Sequence, residues 1–479
     1  MALGSGSLRR AFLLGLTTGV VYFTGTLYWI TRVMVVYGGL QTWVAVLVNA
    51  LLVAYLALFP ALFALVVRYT VARLGSAALL GAPLVWVATE LGRTHLFSGF
   101  PWVLLGYSQA GVLPVAQLAS LIGVYGVSAL VAGASTGLAA VLMRPPDRTG
   151  SHMPMANRPS RYAPLLGVLA LSAVIAAWGH FRIARGDLTR AGEQVRVGLV
   201  QGNVDQAEKW DPARAAAIFQ SYLSMTRQAI DGGATMVLWP ESSTPFHFAE
   251  QPAQAARVRA LAREAKVPIL IGSDEIERGA PTRYYNSAFL LRPDGTDAGV
   301  YRKMHLVPFG EYVPFKRMLF FAAPLVEAAG DFSAGESAVL LPVDGHLISA
   351  AICYEIVYPD LVRRFVVGGS ELLTTITNDA WFGTTSAPYQ HFAQASMRAI
   401  ENGRYLVRAA NTGISGVVDP YGRVVAQSRI YEPAVIVSDA RFLRESTFYA
   451  RTGDGFAHLS AIATLAMLMA ARRRPHAPA

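Results

Sequence analysis

Residues 350–360 read AAICYEIVYPD. An apolar run ends at Cys353. Tyr354 and Glu355 follow, and Pro359-Asp360 can open a helix, because proline suits the first helical position. The stretch therefore reads as a strand that turns sharply into a helix. Such an elbow exposes a nucleophile beside backbone N–H groups able to stabilise an oxyanion. Cys353 is the only cysteine in 479 residues. One thiol cannot form an internal disulfide, and it rules out a cysteine-based metal site. A buried structural cysteine is the common alternative for a lone thiol, so the neighbouring motifs must decide.

On both sides of the elbow the same pattern repeats. Short apolar runs suggest strands: VRVGLVQGN (195–203), ATMVLWPE (234–241), VPILIGSDEI (267–276), SAFLLRPDG (287–295), HLISAAICYEI (346–356), LLTTITND (372–379) and AVIVSDA (434–440). Residues 211–230 read as a helix with Asp211 as N-cap and Pro212 at its first position. Residues 252–265 and 387–404 are also helical in pattern. Strands alternating with helices predict a layered α/β domain over 183–454. The apolar, proline-broken segment 312–332 fits no strand; it is a candidate lid or lipid-facing arm, with simple packing on the domain as the plain alternative.

Two further residues stand out. In MVLWPESSTPF (236–246) a strand ends at Trp239-Pro240-Glu241. A carboxylate there suits a general base, with desolvation expected to raise its pKa; an exposed turn glutamate is the plain alternative. In VYRKMHLVPFGEYVPF (300–315), Lys303 lies among apolar residues. The chain has four lysines against 37 arginines, so a lysine here suggests a need for a compact ammonium, against the alternative of a lysine snorkelling to the surface. Glu241, Lys303 and Cys353 each end or follow a strand.

The rest of the chain is of another kind. It is 53% hydrophobic and 15% charged, with mean hydropathy +0.38, whereas soluble domains carry about 25% charged residues. Charge-free stretches cover 11–31, 33–67, 74–89, 94–143, 162–181 and 455–471. A spanning helix needs about 20 apolar residues, so six spans are expected. The Gly-, Pro- and aromatic-rich part 97–114 is better placed as a re-entrant or interfacial loop. Within an apolar span, GASTG (133–137) matches a hydrolase signature but lacks the preceding strand; Gly133 and Gly137 read as a helix-packing pair.

The net charge of +10 follows the spans. Residues 1–182 hold eleven arginines and two acids, residues 455–479 three arginines and no acid, and the middle 27 basic and 29 acidic residues. Arg9 and Arg10, Arg68 and Arg73, the arginines of 144–161, and Arg472 to Arg474 all fall on one side if the N-terminus is cytoplasmic, while the opposite loops carry only Arg32 and Arg93. This is the positive-inside pattern; it is not a nucleic-acid surface. It puts both termini and the loop 144–161 in the cytoplasm and residues 183–454 outside. The expected domains are thus a membrane part (1–182), a catalytic domain (183–454), and a last span with a basic tail (455–479).

The order Glu241, Lys303, Cys353 resembles the catalytic triad of the nitrilase superfamily. With the flanking spans, the chain resembles the apolipoprotein N-acyltransferase family, bacterial inner-membrane enzymes that finish lipoprotein maturation. The likeness is carried by WPE, HLVPFGEYVP (305–314), ICYE, NDAWFG (378–383), RAIENGRYLVRAANTGISGVVDPYG (398–422), YWI (28–30) and GFPWVLLGYSQ (99–109). That family usually has eight spans, and the first span here resembles its third.

The resemblance implies an α-β-β-α sandwich on the periplasmic side of a polytopic helical membrane domain. It implies a Cys353 thioester formed from membrane phospholipid, then acyl transfer to the α-amino group of a lipoprotein's S-diacylglyceryl cysteine. Glu241 would be the base and Lys303 the oxyanion partner, supported by Glu311, Tyr354, Glu355 and Trp381. No metal, organic cofactor or nucleic acid is expected, and a monomer is expected to suffice. The alternatives are a membrane-tethered amidase of the same superfamily and a non-catalytic scaffold or transporter.

Overall fold

The computed structural model describes residues 7–142, 162–313 and 331–474. The expected loop 144–161 and nearly all of the expected arm, including 314–330, lie outside the described residues. The chain divides into two compact units. One takes Met1–Tyr28, Val46–Arg185 and Thr452–Ala479; the other takes Trp29–Ala45 and Gly186–Arg451.

The first unit is helical. Its helices include α1 (Leu8–Leu27), α3 (Thr42–Leu74), α4 (Ala82–His95), α5 (Ala119–Leu142), α6 (Ala163–Arg185) and a last helix at Gly455–Arg473; α2 (Trp29–Val36) belongs to the other unit. Among the described residues four helices are long and apolar enough to cross a membrane, or five if α1 and α2 count as one span. Two expectations shift. The charge-free stretch 33–67 is divided: its start belongs to α2, and α3 runs through Pro60 without ending. The stretch 74–89 gives a 3-10 turn and the 14-residue α4, shorter than the roughly 20 residues a span needs.

Small residues let these helices approach closely. A Cβ on Gly15 would meet Ala61 Cα at 2.8 Å, and one on Gly19 would meet Ala57 Cα at 2.7 Å, so α1 packs on α3 through a G-x-x-x-G pair. Gly137 likewise faces Leu165 Cα, at 2.7 Å from where its Cβ would be, which fits packing for GASTG. Residues 97–114 form only 3-10 turns and a four-residue helical start at Leu113.

The second unit is a pair of sheets with helices outside. Strands β1 (Glu193–Gln201), β2 (Met236–Leu238), β3 (Ile269–Glu277), β4 (Arg283–Leu291) and β5 (Asp297–Arg302) form one sheet with β13 (Ala434–Phe442), in the order β13-β1-β2-β3-β4-β5. β1, β2 and β3 are parallel; β13, β4 and β5 join antiparallel. The other sheet has the order β12-β11-β10-β9-β8, from β8 (Ala351–Ile352), β9 (Leu373–Thr377), β10 (Leu406–Ala410), β11 (Gly416–Val418) and β12 (Val424–Gln427). β6 (Leu341–Val343) and β7 (His346–Ile348) form a separate hairpin.

The helix at Pro212–Asp231 starts as expected, with the Asp211 carboxylate accepting from Ala213 N at 2.9 Å. With the helix at Pro252–Ala265 it packs on the first sheet. Phe219, Leu223, Val258 and Leu261 meet Val237, Ile269 and Phe289 there. The helix at Ala387–Asn402 backs the second sheet and is buried over most of its length. β1 packs against β10 and β4 against β8, so the sheets face each other.

Candidate active site

Three strand ends supply the three expected residues. Glu241 lies just after β2. The turn carrying it crosses β3 so closely that a Cβ at Gly272 would sit 2.8 Å from Glu241 Cα. Lys303 follows β5, its N–H donating to Asn286 O of β4 at 2.9 Å. Cys353 ends β8 and opens a 3-10 turn, Cys353–Val357, before the helix Pro359–Val367. Its φ is +52°, the left-handed region that a side chain rarely takes. Strain of this kind costs on the order of 1–3 kcal/mol and gathers at functional sites.

Glu355 holds the elbow in place. Its Oε2 accepts from Ile352 N at 2.7 Å. Its Oε1 accepts from Tyr301 Oη at 2.7 Å, Met304 N at 2.7 Å and His305 N at 3.1 Å. The carboxylate thus ties the turn after Cys353 to the segment after Lys303. Burial pushes Glu355 up to about 7, against the pull of these donors.

Lys303 is 1% exposed. Its Nζ donates to Glu311 Oε1 at 2.8 Å and to Glu241 Oε1 at 3.4 Å. Asn286 bridges the same two carboxylates, at 2.7 Å to Glu241 Oε1 and 3.1 Å to Glu311 Oε1. Asn378 N donates to Glu241 Oε2 at 2.8 Å, and Val307 N to Glu311 Oε2 at 2.8 Å. A second buried lysine, Lys209, reaches Glu241 O at 3.5 Å.

The expected upward shift of Glu241 is reversed. Burial does push its carboxyl up, but Lys303, Asn286, Lys209 and Asn378 N outweigh it and hold the group below the usual carboxylate range. Burial pushes Lys303 down, yet Glu311, Glu241 and the thiol raise it above its ordinary value. Burial and then Glu241 push the Cys353 thiol well up, against Lys303. The resting site is therefore carboxylate, ammonium and neutral thiol. Proton transfer from sulfur to Glu241 is uphill until an acyl carbon accepts the sulfur's electrons.

Behind the nucleophile is a second buried cluster. His391 Nε2 is 3.1 Å from Cys353 O and its Nδ1 is 3.0 Å from Asp379 Oδ1. Arg408 donates to Asp379 Oδ2 at 2.8 Å, and Thr377 Oγ1 to Asp379 Oδ1 at 2.9 Å. All three charged or ionisable groups are fully buried. Burial pushes Asp379 up, but Arg408 and then His391 hold it well below the usual carboxylate range.

The structure thus brings Glu241, Lys303 and Glu311 into direct contact and links Glu355 to the elbow. Tyr354 is the residue after the thiol, its ring edge-on to Tyr358 at 5.2 Å. Trp381 lies in the turn Asp379–Phe382, its ring edge-on to Tyr37 at 5.0 Å. Sequence reasoning missed Asn286, Lys209 and the Asp379–His391–Arg408 cluster. Asn286 did leave a signal, a polar amide inside a strand, where asparagine is depleted. Among the described residues no group of His, Cys, Asp and Glu could hold a metal ion.

Comparison with known proteins agrees with this organisation. Residues 196–442 match the carbon-nitrogen hydrolase family, and residues 1–137 match the apolipoprotein N-acyltransferase N-terminal domain. An apolipoprotein N-acyltransferase of Geobacter metallireducens is 41% identical over 95% of this chain and 86% of its own length. One of Methylococcus capsulatus is 37% identical over 99% of this chain and 90% of its own. Among solved structures, an amidase of Nesterenkonia from the nitrilase superfamily covers 56% of this chain and 97% of its own, at 22% identity and TM-score 0.43. The relatives favour neither a tethered amidase nor a non-catalytic scaffold.

Proposed function

The chain belongs to the apolipoprotein N-acyltransferase family, and on that premise we propose that Cys353, Glu241 and Lys303 carry its acyl transfer. The chain is an acyltransferase of lipoprotein maturation, with phospholipid and lipoprotein as substrates. The observation that carries the residue assignment is the buried Lys303 ammonium held between Glu241 and Glu311, with the thiol at the strained elbow.

In the first half-reaction the Cys353 sulfur attacks the ester carbonyl carbon as its proton passes to Glu241. The carbonyl oxygen becomes an oxyanion, stabilised by Lys303 Nζ and Tyr354 N–H. Collapse breaks the ester C–O bond. Glu241 returns the proton to the leaving glycerol oxygen, and lysophospholipid departs. In the second half, the lipoprotein's α-amino nitrogen attacks the thioester and Glu241 takes a proton from it. Collapse expels sulfur, which regains that proton, and the amide is complete. A covalent intermediate divides one difficult transfer into two easier ones.

The arginine distribution supports a catalytic unit on the periplasmic side of the inner membrane, with both termini cytoplasmic. The test is intact-protein mass spectrometry after incubation with a defined phospholipid. A single acyl adduct should appear on wild type and vanish in Cys353→Ser. An adduct retained in that variant would refute the assignment.

A further inference from the structure

On the periplasmic reading proposed above, two arginines, Arg32 and Arg93, stand on the side of the membrane where the positive-inside pattern disfavours them. Arg93 is accounted for structurally: its buried guanidinium donates to Phe100 O, Trp102 O and Val103 O at 3.2, 2.7 and 3.4 Å. Arg32 is not. It is exposed, its charge acts on the hydroxyls of Tyr37 and Tyr431, and the ion pairs of the described acidic residues go to other partners.

Its surroundings are fixed nonetheless. Arg32 lies on α2, in the same compact unit as the catalytic residues. That segment is fastened to the turn Asp379–Phe382. Trp29 Nε1 donates to Gln390 Oε1 at 3.2 Å, and the indole stands edge-on to Phe382 at 5.0 Å. Tyr37 Oη donates to Ala380 O at 2.8 Å. Arg32 is three residues after Trp29, on the same helix face. Its guanidinium lies over the backbone at Gly383, where a Cβ would collide with Nε and come within 2.8 Å of NH2. The same turn leads back to chemistry within two contacts: Asn378 N binds Glu241, and Asp379 binds His391, which binds Cys353 O.

From this placement we propose that Arg32 is the anchor for the phosphodiester anion of the donor glycerophospholipid. A guanidinium presents a planar fork that matches phosphate oxygens. The phosphodiester shares its glycerol with the reacting ester, so an anchor seated on the turn that leads to Glu241 and Cys353 sets which ester reaches the thiol. The proposal rests on the acyl-transfer reading above.

The test is acyl-enzyme formation by the full-length chain in detergent micelles, with wild type, Arg32→Gln and Arg32→Lys. Each is assayed with phosphatidylglycerol and with uncharged diacylglycerol. Loss of one charge-assisted contact should raise KM for phosphatidylglycerol roughly 10-fold in Arg32→Gln, equivalent to about 1.4 kcal/mol. The maximal rate, and all use of diacylglycerol, should stay unchanged, and Arg32→Lys should fall between. Equal losses with both donors would make Arg32 a structural brace for the turn and overturn the proposal. No change with either donor would overturn it too. Inhibition by about 10 mM inorganic phosphate that the Gln variant abolishes would reassign the site to free phosphate. Failure of every variant, wild type included, to form acyl-enzyme from either donor would refute the underlying reading instead.

Discussion

Replacing Lys303 probes the centre of the site, and the choice of replacement separates charge from shape. Lys303→Met keeps most of the volume and removes the ammonium. Its Nζ is 2.8 Å from one carboxylate and 3.4 Å from another, which at an effective dielectric near 20 corresponds to about 6 and about 5 kcal/mol of gross attraction. Without it, Glu241 and Glu311 share one Asn286 amide with no cation between them. Two carboxylates in one site cannot both stay ionised easily, so one binds a proton near neutral pH. A protonated Glu241 cannot accept the thiol proton. Loss of the oxyanion donor alone costs roughly 10²–10³ in rate, and loss of the base adds to it. The Met variant should therefore drop at least that far at pH 7 and regain part of the loss as pH rises. Lys303→Arg keeps the charge but puts a broad fork where a point donor sits in a 1% exposed site, and a displacement of about 1 Å can cost about 10²-fold. Both variants, checked for folding by thermal melts, are compared with wild type by the rate of acyl adduct formation. If Lys303→Arg keeps more than about a tenth of the wild-type rate, against the 10²-fold expected from misplacement, the geometric role assigned to this ammonium is wrong.

Because burial and Glu241 hold the thiol up, alkylation of Cys353 by iodoacetamide should remain slow through pH 8, and Glu241→Gln should make it faster by removing the nearby negative charge; a slower reaction would mean Glu241 already draws the proton at rest. Asp379 has a folded pKa below its unfolded one, so its contribution is complete above the unfolded value and fades as pH falls towards the folded one. Asp379→Asn should therefore flatten the acid side of a melting-temperature profile and cost about 3–5 kcal/mol near neutrality, as breaking a buried pair does; an unchanged profile would show the cluster carries no linked proton. Reporter fusions within 144–161 and at the C-terminus should read cytoplasmic and one near Thr244 exported, and the reverse pattern would remove access to exported lipoproteins.

Much of this was legible in residue order, and the reasons are local. The run ending at Cys353 with Pro359 beyond it announces a strand and a helix, and the turn between them has little freedom. The Asp211-Pro212 helix start is likewise a short-range signal. β10 and β11 were missed as strands because RYLVRAANTGISGVV mixes buried arginine, asparagine and glycine, which mask the period-two pattern. The direction of the Glu241 shift was illegible for another reason. Burial can be guessed from apolar neighbours in sequence, whereas Asn286, Lys209 and the Asn378 amide reach it from 45, 32 and 137 residues away. The docking of Trp29–Ala45 with the catalytic unit was hidden because its apolar residues look the same whether lipid or protein covers them.

The pairing of one buried ammonium with one buried and one partly buried carboxylate has a consequence for the whole reaction coordinate. At rest these three groups sum to one negative charge. When sulfur attacks, Glu241 becomes neutral and the carbonyl oxygen becomes negative, so the sum is the same. The second half repeats the exchange with a nitrogen proton. The total is constant from substrate to product, and only protons and electron pairs shift, over distances of a few ångströms. No ion has to enter or leave the interior at any step, and surrounding salt has little to screen there. At a lipid surface, where local cation concentration follows the anionic lipid content, turnover at the bond-making centre is thereby insulated from the composition of the membrane that feeds it.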